Sequence, residues 1–105
     1  PLVLFSITDH DPSGFFIARA FQMQLENQYV PIIGYHKLIE PAHYTEDELQ
    51  MFHFPIPSKY RARIESWMET EGGIAGEPLG LEADSLPKAR LRQILDEQLQ
   101  PYLRG

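Results

Sequence analysis

Cysteine is absent from the 105 residues, so the chain can build neither a disulfide framework nor a thiolate metal site. That absence fits an intracellular, cytoplasmic protein. No apolar run approaches the roughly 18 residues that a membrane span requires, so a soluble chain without a membrane partner is expected. Positive charge is scarce as well. Nine Lys and Arg stand against fifteen Asp and Glu, a net charge of −6, which argues against a domain that holds nucleic acid by its overall field while leaving room for local basic patches. The sequence contains no G-x-x-x-x-G-K-[ST] loop, no G-x-S-x-G elbow and no G-x-G-x-x-G fingerprint, which disfavours P-loop NTP hydrolysis and serine hydrolase chemistry.

What is present reads as a globular domain. Hydrophobic residues make up 43% and charged residues 23%, and a chain of this length is one domain just able to bury its own core. The apolar strand begins immediately after Pro1, so we expect this to be part of a longer polypeptide.

The opening stretch "LVLFSITDHDPSGFFIARAF" carries the most information. Leu2, Val3, Leu4, Phe5 and Ile7 form a near-continuous apolar run, as in a central parallel strand covered on both faces. Asp9 and Asp11 follow where that strand ends. Pro12, Ser13 and Gly14 break the pattern, and from Phe15 the period becomes helical, with Ile17, Phe21 and Leu25 spaced four apart. A strand, an acidic loop and a helix in this order place the acids where open α/β sheets bind ligands, at the carboxyl end of a strand.

Further along, Tyr29 to Ile33 reads as a second strand ending at Gly34 and Tyr35, completing a parallel crossover. Thr45 and Glu48 have capping-box spacing for a short helix. Pro55 and Pro57 make "FPIPSKYRAR" a connector at its start. A helix is expected from Arg61 to Thr70, buried through Ile64 and Trp67 or Met68. Four glycines then make "EGGIAGEPLG" a loop. Asp84 or Ser85 can cap a final helix with Pro87 in its first turn and Leu91, Ile94, Leu95 and Leu99 as its stripe, ended or kinked by Pro101.

The acids admit two readings. If Asp9, His10 and Asp11 stay extended, the period of two puts both carboxylates on one side and the imidazole on the other. Two such carboxylates are sufficient for a hard cation that keeps several waters, and the free amides of the following helix favour a phosphate beside it. Alternatively, Asp11 and Ser13 cap the helix and start a turn, as these residue types commonly do. Glu82 and Asp84 have similar spacing and a similar alternative, capping the last helix. Lys37, Lys59, Arg61 and Arg63 can line a phosphate path and Tyr60 can stack on a base, or they form a solvated connector. The four histidines show no metal-binding spacing.

"ITDHDPSGFFIA", an apolar strand followed by D-x-D-P-x-G and a helix, resembles the second acidic motif of Toprim domains. It is most similar to the variant in the A subunit of type IIB topoisomerases and to Toprim-like nucleases. The "GLEADSLPKARLRQIL" segment and the Pro-x-Lys in "FPIPSK" are weaker echoes of uncharacterised Toprim-like proteins. The resemblance implies an α/β fold with a Rossmann-like, Toprim-type parallel sheet flanked by helices, here lacking the first strand-helix unit. It implies Asp9 and Asp11 as catalytic ligands of Mg²⁺ or Mn²⁺, with Glu82 and Asp84 as further metal-facing acids. Lys59, Arg61 and Arg63 would then contact nucleic acid, DNA ahead of RNA, within a larger protein that cleaves or transfers phosphodiester bonds. One departure is serious, because the family's glutamate from an earlier strand is missing. It comes from elsewhere, or the chain is a catalytically inactive interaction module. An unpaired edge strand would also invite a homodimer.

Overall fold

The computed structural model describes residues 2–103, the side chain of Tyr60 excepted. Helices and short strands alternate in a mixed α/β arrangement. Strand β1 (Leu2–Ser6) is followed by helix α1 (Pro12–Asn27) and strand β2 (Ile32–Lys37). β1 and β2 pair in parallel, Leu4 opposite Tyr35 and Phe5 opposite His36, with one register irregularity between Leu2 and Val3. Helix α2 (Glu46–Phe52), strand β3 (Phe54–Pro55), helix α3 (Arg61–Glu71), strand β4 (Leu79–Gly80) and helix α4 (Lys88–Leu103) complete the order. β3 and β4 form a separate antiparallel pair. No helix among the described residues is long and apolar enough to cross a membrane.

The second strand begins three residues later than its apolar run predicts. Tyr29 adopts a left-handed φ of 60°, and the Val30 amide still bonds back to Leu25 of α1 at 3.0 Å, so extended pairing starts only once the chain has cleared the helix. The Leu2 amide then reaches the Pro31 carbonyl at 2.8 Å. Pairing with β1, rather than local propensity, sets the strand's frame.

β1 is not the doubly covered central strand its composition suggests. It lies at the edge of a pair, with Leu2 40% exposed and Ile7, just past its end, 49% exposed. The outer stripe of α1 is open too, Ile17 at 65% and Phe21 at 54% exposure. Burial concentrates instead just beyond β2 and around the later turns, where Leu38, Ile39, Tyr44, Ile74, Leu81, Leu86 and Ile94 form one cluster. Leu49 and Phe52 of α2 and Leu91 and Leu95 of α4 pack against it. Trp67 of α3 is fully buried, as its spacing predicts.

Two helix ends differ from the sequence reading. Neither Asp84 nor Ser85 starts α4; both belong to a separate 3₁₀ turn, Ala83–Ser85. Pro101 lies inside α4 and does not end it. A proline so near the carboxyl end forfeits one backbone hydrogen bond, which the last turn can tolerate.

Candidate functional site

The acidic loop leaves the carboxyl end of β1 and is fastened by its own backbone. His10 exchanges two backbone hydrogen bonds with Leu81, at 2.8 and 3.0 Å. Leu81 directly follows β4, so this isolated antiparallel bridge stitches the acidic loop to the second sheet. The alternation puts the His10 side chain inward, 1% exposed, while Asp9 and Asp11 are half-buried on the other side.

Each aspartate has one oxygen committed to a backbone amide. Asp11 Oδ1 accepts from the Gly14 amide at 2.7 Å and is the N-cap of α1. Asp9 Oδ1 accepts from the Ala83 amide at 2.7 Å across 74 positions of sequence. That bond satisfies the first turn of the 3₁₀ segment, whose own N-cap residue, Glu82, makes no side-chain cap. No protein partner holds the second oxygen of either carboxylate among the described residues. Gly14 is needed for this turn: a Cβ there would stand 2.1 Å from the Asp9 carbonyl oxygen. Gly80 allows a similar approach, since its Cβ would lie 2.7 Å from the His10 carbonyl oxygen.

The two acidic segments singled out in the sequence are thus brought side by side. Their carboxylates do not converge to the same degree: Glu82 and Asp84 are exposed, and no group of three or more metal-ligating side chains forms among the described residues. The donor set at the loop is the Asp9 and Asp11 pair, two hard oxygens held by backbone amides.

Beneath the acids lies a polar network that the sequence did not announce. His10 Nε2 lies 2.8 Å from the Gly73 carbonyl, and His10 Nδ1 lies 2.7 Å from Lys37 Nζ. Lysine only donates, so Nδ1 accepts and Nε2–H donates to Gly73, which fixes a neutral imidazole. Burial, with the Lys37 ammonium beside it, pulls the His10 pKa below its ordinary value. Lys37 also pairs with the Glu71 carboxylate, and Glu71 Oε1 accepts from the Trp67 indole at 2.9 Å. The Trp67 ring meets His10 edge-on at 5.1 Å. This network floors a cleft of about 270 Å³ bordered by Glu40, Pro41 and Thr70.

Lys37 is therefore not on a phosphate path with the exposed Lys59, Arg61 and Arg63, because its charge is spent on Glu71 and His10 inside the fold. Arg63 has a different position. Its guanidinium lies 5.6 Å from the Phe16 ring centroid, and with Asp11, Ser13 and Ile56 it lines a cleft of about 200 Å³. A cation and an acid thus share one opening at the start of α1. The proposed stacking by Tyr60 lies outside the described side chains.

Comparison with protein-family models, with curated proteins and with solved structures returns no match.

Proposed function

We propose that the chain is a Toprim-like, Rossmann-type domain that binds Mg²⁺ or Mn²⁺ through Asp9 and Asp11 and serves a larger protein acting on nucleic-acid backbones, DNA ahead of RNA. One observation carries the reading. The D-x-D loop sits at the carboxyl end of a parallel strand, runs into a helix through a glycine that only close backbone approach explains, and is bonded to the second acidic segment at Ala83.

The residues fit a hard divalent cation. Asp9 and Asp11 are oxygen donors on one side of the loop, each with a spare oxygen, and such a cation fills its remaining positions with water. When bound, the ion supplies the charge that polarises a phosphate oxygen and stabilises a leaving oxygen. The chain's own part is positional. Backbone amides hold both carboxylates still, and Arg63 at the mouth of the adjoining cleft attracts a phosphodiester. Proton transfer needs a further group, which a glutamate outside residues 1–105 would provide.

A second reading has its own support. Both aspartates already accept from backbone amides, as caps do, and no third acid joins them among the described residues. On that reading the chain is an interaction module that keeps the fold without the chemistry. Calorimetric titration with Mg²⁺ and Mn²⁺ separates the two, using the parent and an Asp9→Asn, Asp11→Asn double variant. Saturable heat in the parent that vanishes in the variant is the expected result. Equal heats from both proteins would transfer the conclusion to the interaction module.

A further inference from the structure

The free edge of β1 and the outer face of α1 meet in one apolar surface left open among the described residues. In β1 the Leu2 amide and the Ser6 carbonyl bond toward β2 and its continuation, to Pro31 and Leu38 at 2.8 and 3.0 Å. Backbone groups alternate along a strand, so those of Val3 and Phe5 face the open side. Exposed edges are normally blunted by a charge, a proline or a bulge. From Val3 to Ile7 there is no charged residue and no proline, and the one irregularity lies before Val3. Beside this edge a cleft of about 260 Å³ is bordered by Leu4, Ile7, Ile17, Ala18 and Phe21.

We propose that this surface is a homodimer interface in which β1 pairs antiparallel with β1 of a second copy about a two-fold axis perpendicular to the sheet. Two features single out a second copy. The first is self-complementarity. A perpendicular two-fold places Val3 and Phe5 of one strand against Phe5 and Val3 of the other, joins two two-stranded sheets into one of four, and sets both α1 helices on the same face. Ile17 and Phe21 then meet their counterparts, and no charge among Leu2, Leu4, Ile7, Ile17 and Phe21 opposes its own image. The second is area. An aromatic side chain such as Phe21 buries roughly 150–250 Å², and Leu and Ile fall toward the lower end of that range. Exposures of 40–65% at Leu2, Ile7, Ile17 and Phe21 then give on the order of 300–500 Å² per copy when fully covered, and the strand edges bring two copies to at most about 1,000 Å². That is the size range of weak, reversible association. A two-stranded sheet is also marginal by itself and gains from extension.

The test is sedimentation velocity on the 105-residue chain across a concentration series, with amide exchange read at low and high concentration. The expected result is a monomer–dimer equilibrium with Val3 and Phe5 amides protected only in the dimer. Ile17→Lys and Phe21→Lys, each at an exposed position of α1, should weaken association at least tenfold while leaving unchanged the helical circular dichroism and the melting curve taken at concentrations low enough for the parent to be monomeric. A chain that stays monomeric throughout, including one that takes up an extended peptide instead, overturns the proposal. So does a dimer indifferent to both lysines, or one whose Val3 and Phe5 amides exchange freely.

Discussion

At the residue scale, the acidic loop makes capping and ligation separable. Asn is as good an N-cap as Asp, so Asp11→Asn preserves the bond to the Gly14 amide while removing the charge. Asp11→Ala removes both, and a loss of about 1 kcal/mol is expected in urea unfolding, with Asp11→Asn close to the parent. Gly14→Ala should cost more, about 1–3 kcal/mol, because its Cβ would sit 2.1 Å from a backbone oxygen that cannot swing away. His10 gives a pH dependence of defined sign. Its folded pKa lies below the ordinary 6.5, so below that value the unfolded chain binds the proton more readily and folding loses stability as the pH falls. The urea midpoint should therefore drop between pH 7.5 and 5, and His10→Gln should flatten that drop even though the variant starts less stable. Glu48, whose carboxyl is held below its usual range by Arg90, acts in a lower window and does not imitate it. That His10 turns away from the acids was legible from the alternation; that it is buried was not. Its partners were not, because Lys37 and Gly73 stand 27 and 63 positions away.

At the element scale, signals contained within one turn were readable and those set by distant pairing were not. Thr45 and Glu48 form the reciprocal capping box that their spacing predicts, with the Glu48 amide 3.2 Å from Thr45 Oγ1 and the Thr45 amide 2.9 Å from Glu48 Oε1. The frame of β2 and the role of Asp9 depended on contacts with Leu2 and Ala83, which no local pattern encodes. Glu48 also shows how an element acquires a second duty, since the same carboxylate that closes the box pairs with Arg90 of α4. Thr45→Ala should lower stability by about 1 kcal/mol through the cap alone. Glu48→Gln retains the capping-box geometry and removes only the negative charge that faces Arg90. Its effect should be smaller and should disappear in high salt, as an ion pair near the surface requires. Parallel urea titrations of the two variants at low and high ionic strength check this.

Across the whole molecule, the acidic loop is the joint between two sheets. β1 and β2 lie on one side of it, β3 and β4 on the other, and they are tied through the His10–Leu81 bridge, the Asp9–Ala83 bond and the Lys37–His10 contact. A ligand held by Asp9 and Asp11 would grip this joint, so its binding free energy should appear as resistance to global unfolding rather than to local fraying. For a dissociation constant on the order of 1 mM, about 10 mM Mg²⁺ adds roughly 1.4 kcal/mol. In a domain of this size that is a rise of several degrees in Tm. The parent should show this rise, and the Asp9→Asn, Asp11→Asn variant should not, although its caps and its Tm without metal remain near those of the parent. Ionic strength held constant with NaCl removes screening of the −6 net charge as a cause. If Mg²⁺ raised both melting points equally, the carboxylates would be serving the joint through their backbone bonds alone. The stabilisation would then belong to charge neutralisation spread over the surface.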